Sequence, residues 1–379
     1  MAKKKSKAKL WLVLHSWCAV PIWFFLLFAC LTGTLSTVSW EVLWLRYPEM
    51  RADAAVGRAR LDAGDLLDRL KAQEPAARPY RILQPEPYLT VQIAAYLPDQ
   101  EKATFFLDPY SGAVKGRSNL SYSRYQWFMQ SLHGWLLTPY DRVKPYGWHL
   151  VALLSLPMLV SLLTGMLVYK KFWRAYLNPR LRIDEGSRVF WGDLHRLAGI
   201  WSLWFVSLIA VSSLWFLVIG ILDELGTPTT GNLPPVVQEA STNTDGLRYA
   251  FRIADETFPG FRVDGVYLGF NNYTPVRVTG RTAFPLYKAE IYLDPGSGAV
   301  IETETVTSSR PAATLSPILR SLHTGDFYSL WSKLVWAFFG LVLSAMVFSG
   351  LMIFLMRTVQ STVKLVRPRP GLLPREAGE

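Results

Sequence analysis

The chain has 379 residues, half of them apolar, with 15 Trp, 17 Tyr, 20 Phe and a net charge of +11. This composition excludes an ordinary soluble enzyme and a disordered chain alike. Residues 1–9, 170–196 and 357–379 hold seventeen Lys and Arg against five acidic residues, and the rest is nearly balanced, so the basic excess marks topology and not a nucleic-acid partner.

Residues 2–9 form a basic anchor before an apolar run over 10–38, and three more runs cover 148–169, 197–222 and 334–356. About 20 residues suffice to cross a bilayer, so four transmembrane helices are expected. The first run is too long for the apolar core of a signal peptide and precedes no small-x-small cleavage site, so it reads as a retained helix. The basic segments then face the cytoplasm together with both termini, which places two soluble stretches outside. The expected organisation is a tail and first helix over 1–39, an outer α+β domain with an interfacial helix over 40–146, and a second helix over 147–170. A cytoplasmic loop over 171–196, a third helix over 197–222, a second outer α+β domain over 223–330 and a fourth helix with its tail over 331–379 follow.

Within this frame His15 lies near the inner end of the first helix and Thr32-Gly33 near its outer end. Trp40, Trp44 and Tyr47 read as an interfacial aromatic belt. The first outer stretch predicts a helix at 62–72, strands at 89–96 and 103–107, and a hairpin turn at Asp108. Residues 121–137 then suit a helix at the membrane surface that carries His133. His149 opens the second helix on the outer side, and His195 stands at the inner edge of the third. The second outer stretch repeats the plan: a helix at 247–258, strands at 265–270, 276–280 and 289–293, a turn at Asp294, and a helix at 315–322 that His323 closes. Cys18 and Cys30 are about 18 Å apart along one helix, too far to pair within it, and read as packing residues.

The second half echoes the first. Ser131-Leu132-His133 recurs as Ser321-Leu322-His323, residues 106–114 as 292–300, Thr164-Gly165 as Ser349-Gly350, and Leu14-His15 as Leu194-His195. The offsets all lie between 180 and 190, so the chain reads as two tandem copies of one unit. Equivalent residues should then meet at equal depth about a pseudo-twofold axis. His15 with His195 would hold an inner haem, and His133 with His323 an outer one, as axial ligands of the iron. A lone His at a membrane edge is ordinarily an interfacial residue, and His149, matched by Leu334, suits that reading. Four His at repeat-matched positions favour ligation instead. Arg124, Arg196 and Arg320 are candidates for the haem propionates. No zinc motif, covalent-haem motif, nucleophile elbow or dinucleotide fingerprint occurs, so electrons would come from a quinol or a cytoplasmic reductase.

These residues resemble the PepSY-associated transmembrane family. The resemblance rests on a membrane-edge His in the first helix, the Leu-Asp-Pro-x-Ser-Gly hairpin, Leu132-His133-Gly134-Trp135, Leu194-His195-Arg196, and residues 322–327, Leu-His-Thr-Gly-Asp-Phe. It spans residues 15–356 and is nearest to that family's inner-membrane siderophore-iron reductases of Gram-negative bacteria. The resemblance implies two PepSY-like periplasmic domains and two b-type haems on His15, His133, His195 and His323. It also implies reduction of a ferric siderophore in the periplasm, while His149 departs from the pattern. The chemistry is coherent: oxygen ligands hold Fe(III) more tightly than Fe(II), so one-electron reduction releases the metal. Two haems would divide a crossing of about 30 Å into shorter hops. Trp135, Tyr140, Arg142, Lys144 and Tyr328 are candidates for docking the substrate. Two other readings remain: a membrane-anchored binding or regulatory module without catalysis, and a siderophore transporter. Few polar residues inside four helices leave the transporter little pathway.

Overall fold

The computed structural model describes residues 7–54, 57–98, 101–118, 123–140, 144–169, 172–227, 248–268, 275–282, 288–304 and 311–366. The first apolar run folds as α1 (Lys7–Ala19) and α2 (Trp23–Thr37), joined by a single 3-10 turn over Val20–Ile22. Pro21 accounts for the interruption, since it lacks an N–H and its ring crowds the carbonyl four residues back. After α3 (Ser39–Arg46), α4 (Ala63–Gln73) starts at Asp62, whose carboxylate accepts the amide of Ala63. Strands β1 (Arg78–Leu83), β2 (Val91–Tyr96), β3 (Lys102–Leu107) and β4 (Val114–Ser118) form an antiparallel meander. The surface helix is α5 (Ser123–Trp135).

The second apolar run folds as α6 (Tyr146–Leu153) and α7 (Ser155–Val168); the break at Leu154 falls where Pro157 crowds the carbonyl of Leu153. Next come α8 (Phe172–Leu177), α9 (Ser187–Trp201) and α10 (Leu203–Glu224). Helix α11 (Ala250–Thr257) precedes β5 (Arg262–Tyr267), β6 (Val276–Arg281), β7 (Lys288–Leu293) and β8 (Val300–Glu304). Helices α12 (Pro311–Thr324) and α13 (Ser329–Val366) end the described chain. Four helical stretches are long and apolar enough to cross a membrane: Lys9–Thr37, Tyr146–Val168, Leu203–Glu224 and Ser329–Val359.

Two compact units divide the chain. One comprises residues 1–31, 153–211 and 338–379, and the other 32–152 and 212–337. The second unit holds the sheet, and here the structure departs from two separate outer domains. Each outer stretch supplies four strands and a helix, but β1 pairs antiparallel with β5, so the strands run β4-β3-β2-β1-β5-β6-β7-β8 in one sheet. Ile82 faces Val266 at the seam, and the amides of Gln84 and Leu268 extend it to the carbonyls of Asp264 and Tyr80. Bulges fall at Pro79/Arg81 and Val263/Gly265, and again at Phe106/Leu107 and Tyr292/Leu293. One core runs beneath both halves, with Leu66 and Leu70 of α4 and Ala250 and Ala254 of α11 laid on Ile93, Phe105, Val266 and Ile291.

Trp40, Trp44 and Tyr47 are partly buried and pack on the cluster of Leu43, Met50, Leu89 and Phe106. Their spacing of three and four residues serves a packed helix face as well as a membrane interface.

Candidate functional site

Each unit brings two histidines together. In the first unit His15 projects from α1 and His195 from α9, and their ring centroids lie 6.1 Å apart with planes at 77°. The Nδ1 of His15 lies 2.9 Å from the carbonyl oxygen of Ser161 and 3.2 Å from Thr164 Oγ1, both on α7. For His195 the partners are the Met346 carbonyl at 2.9 Å and Ser349 Oγ at 3.2 Å, both on α13. A carbonyl only accepts, so each Nδ1 carries the hydrogen and each Nε2 keeps its lone pair. The Thr164 and Ser349 hydroxyls donate to carbonyls of their own helices, which leaves their oxygens free to accept as well.

In the second unit His133 of α5 and His323 of α12 have centroids 6.1 Å apart, with planes at 31°. His323 Nδ1 lies 2.8 Å from Ser212 Oγ on α10, and the edge of Phe216 meets its ring at 5.2 Å. His133 comes close to Gly33: a Cβ there would stand 2.8 Å from its Cε1. Gly165 and Gly350 play the same part for His15 and His195, where a Cβ would stand 3.6 and 3.2 Å from Cε1. A small residue thus lets each of these imidazoles press against a neighbouring helix. Burial, and then the neighbouring His15, pushes His195 down to about 4; burial, then His133 and Arg320, pushes His323 down to about 3. Both are neutral at pH 7, the form that binds a metal.

The spacing fits two ligands on opposite sides of one ion. With metal–nitrogen bonds of about 2.0 Å and about 1.1 Å from nitrogen to ring centre, two imidazoles on opposite sides of one ion have centroids about 6 Å apart. Both pairs fit that value. Among the described residues no cluster of three or more His, Cys, Asp or Glu could hold a metal ion. Two imidazoles alone suit a metal whose remaining ligands arrive with it, as in haem, where the macrocycle supplies four.

The remaining sequence candidates divide. His149 joins neither pair; its Nε2 faces Glu224 at 3.8 Å, and its ring lies against Gly220. Arg196 is engaged by the buried Asp193, which also binds Arg182, so it is not a free cation for a propionate. Arg320 is exposed and bears electrostatically on His323, and Arg124 is exposed on α5. Trp135 stacks edge-on with Tyr140 at 5.3 Å, Lys144 pairs with Asp223 at 3.4 Å, Tyr328 is exposed, and Arg142 lies outside the described residues. The partners on Nδ1 are what sequence reasoning missed. Thr164-Gly165 and Ser349-Gly350 stood out as repeat landmarks, but nothing tied them to the histidines. Small polar residues within apolar runs were the available signal.

The chain matches no curated protein. Residues 12–357 match the family model described as the PepSY-associated TM region, and that match includes every histidine above. With four apolar helices among the described residues and a β-sheet in the same chain, the protein belongs to the PepSY-associated transmembrane family.

Proposed function

We propose that the chain is a two-haem electron carrier of the bacterial inner membrane that reduces a ferric siderophore in the periplasm and releases Fe(II). It is built as a tandem duplication, with the sheet on the periplasmic side and both termini in the cytoplasm. One observation carries the reading: the two repeat-matched histidine pairs share one centroid spacing, 6.1 Å, which suits a six-coordinate metal. Haem b at each pair would supply reversible one-electron chemistry. The protein's own work is to bring His15 to His195 and His133 to His323, and to fix the rings of His15, His195 and His323 through Nδ1. No general acid or nucleophile is required, because the reaction adds one electron to Fe(III) and weakens its hold on hard oxygen donors. The donor is a quinol or a cytoplasmic reductase.

The test is direct. Full-length protein purified in detergent should be red and give two haem b per chain by pyridine haemochrome. His15→Ala or His195→Ala should remove one haem and leave the other, and His133→Ala or His323→Ala should do the converse; His149→Ala should leave both. Dithionite-reduced protein should reoxidise on addition of a ferric hydroxamate siderophore, with Fe(II) appearing in a ferrous chelator. A colourless preparation that reconstitutes no haem would instead favour a binding or regulatory module anchored by the helices.

A further inference from the structure

His323 differs from His15 and His195 in what its Nδ1 leans on. On His15 and His195 the Nδ1–H meets a backbone carbonyl at 2.9 Å, with a hydroxyl oxygen behind it at 3.2 Å. On His323 the nearest partner of Nδ1 is the hydroxyl of Ser212 at 2.8 Å, deep in the fold, where Ser212 has no exposed surface. With Nε2 on a metal, the hydrogen of His323 is on Nδ1 and the serine oxygen accepts it. A carbonyl oxygen is the stronger acceptor. It draws the N–H proton further from the ring, makes the imidazole more electron-rich, and so stabilises the ferric over the ferrous state.

We propose that these acceptors set a potential difference between the two sites: the pair His15/His195 has the lower potential and the pair His133/His323 the higher. Ser212 is the residue that keeps the second site high. The inference rests on the ligation reading above and adds a direction to it. With haem bound at both pairs, an electron would pass from the site held by His15 and His195 to the one held by His133 and His323, and from there to the external ferric substrate. Each transfer moves one electron and no proton. Thr164 and Ser349 act as positioning residues of smaller effect, since the Ser161 and Met346 carbonyls remain when the hydroxyls are removed.

The experiment is a spectroelectrochemical titration of full-length protein in detergent, followed in the reduced α-band. Wild type should resolve two midpoints, and His15→Ala should abolish the lower one. Ser212→Ala should raise the upper midpoint and Ser212→Asp, a stronger acceptor, should lower it, each leaving the lower midpoint in place. Thr164→Val should move the lower midpoint slightly upward and spare the upper. Haem content measured on each variant separates loss of the site from a change of its potential. One shared midpoint, or an upper midpoint that ignores both Ser212 substitutions, overturns the inference while the ligation stands. A preparation without haem overturns both.

Discussion

At the scale of single residues, the imidazole pockets depend on missing methyl groups, and the distances rank the consequences. A Cβ on Gly33 would meet His133 Cε1 at 2.8 Å, one on Gly350 would meet His195 at 3.2 Å, and one on Gly165 would stand 3.6 Å from His15. Alanine at 165 is therefore ordinary contact, and the gain in helix propensity makes the change neutral or stabilising by up to about 1 kcal/mol. Alanine at 33 has to displace a ring held on its other side, an overpacking that costs about 1–3 kcal/mol. Thermal unfolding in detergent should place Gly33→Ala lowest, Gly350→Ala between, and Gly165→Ala at or above wild type. Equal midpoints for the three would show that the rings move aside freely. The pairing of His15 with His195 and of His133 with His323 was legible in the sequence because each histidine recurs in a matching sequence context at nearly one offset. Their Nδ1 acceptors were not, because a carbonyl on Ser161 or Met346 leaves no mark in the identity of the residue that bears it.

At the scale of elements, the two hairpin turns test how far two similar segments have diverged. Asp108 and Asp294 each accept the amide and hydroxyl of a serine three residues on. Asp108 is fully buried and also accepts the amide of Asp53 at 2.8 Å, a bond that none of the described residues makes to Asp294. Removing the carboxylate thus breaks an additional bond in the first turn, the one from the amide of Asp53. Asp108→Ala should cost about 3 kcal/mol and Asp294→Ala about 1 kcal/mol in denaturant unfolding. Both acids sit below the ordinary value of 3.8. For Asp294 the Ser297 amide is the main cause; for Asp108 burial opposes the shift and the amides of Asp53, Ser111 and Tyr110 outweigh it. A depressed carboxylate stabilises the fold above 3.8 and loses that contribution as pH falls through the lowered native value. The difference between wild type and Asp108→Ala should therefore be full at pH 7 and shrink in acid below pH 3.8. The turns were readable because Asp-Pro-x-Ser-Gly is local chemistry. Strand β1 was not, since Pro79 inside it and Pro85 and Pro87 beyond it read as turns; the bulge after Pro79 is how the strand accommodates a residue without an N–H. Nor was the β1–β5 seam, whose register pairs residues 182 to 186 apart and has no local signature.

At the scale of the whole molecule, the sheet and the start of the last helix are tied by charges drawn from the far ends of the sequence. Lys333, one turn into α13, places Nζ 2.7 Å from Glu86 and 3.2 Å from Glu41, with side chains almost fully enclosed. Glu86 has no exposed surface and also accepts from Ser329 at 2.9 Å and faces Arg262 at 3.4 Å. The chain of ions continues from Arg262 to Asp264, from Asp264 to Arg281 and from Arg281 to Asp326. Such a network contributes little net stability over apolar packing of equal volume, because desolvating the ions offsets most of their attraction. Breaking it on one side is a different matter. Lys333→Met leaves the fully buried Glu86 with the more distant Arg262 as its one remaining cation among the described residues, and should destabilise by about 3–5 kcal/mol. Adding Glu86→Met to Lys333→Met removes the stranded charge, while Arg262 keeps Asp264 and Glu41 keeps the hydroxyl of Tyr88. The double variant should therefore recover most of the loss, with a strongly non-additive cycle in chemical denaturation. Additive losses would mean that each side chain acts through packing alone. If Lys333→Met alone matched wild type, the lysine would have no part in holding the helix to the sheet.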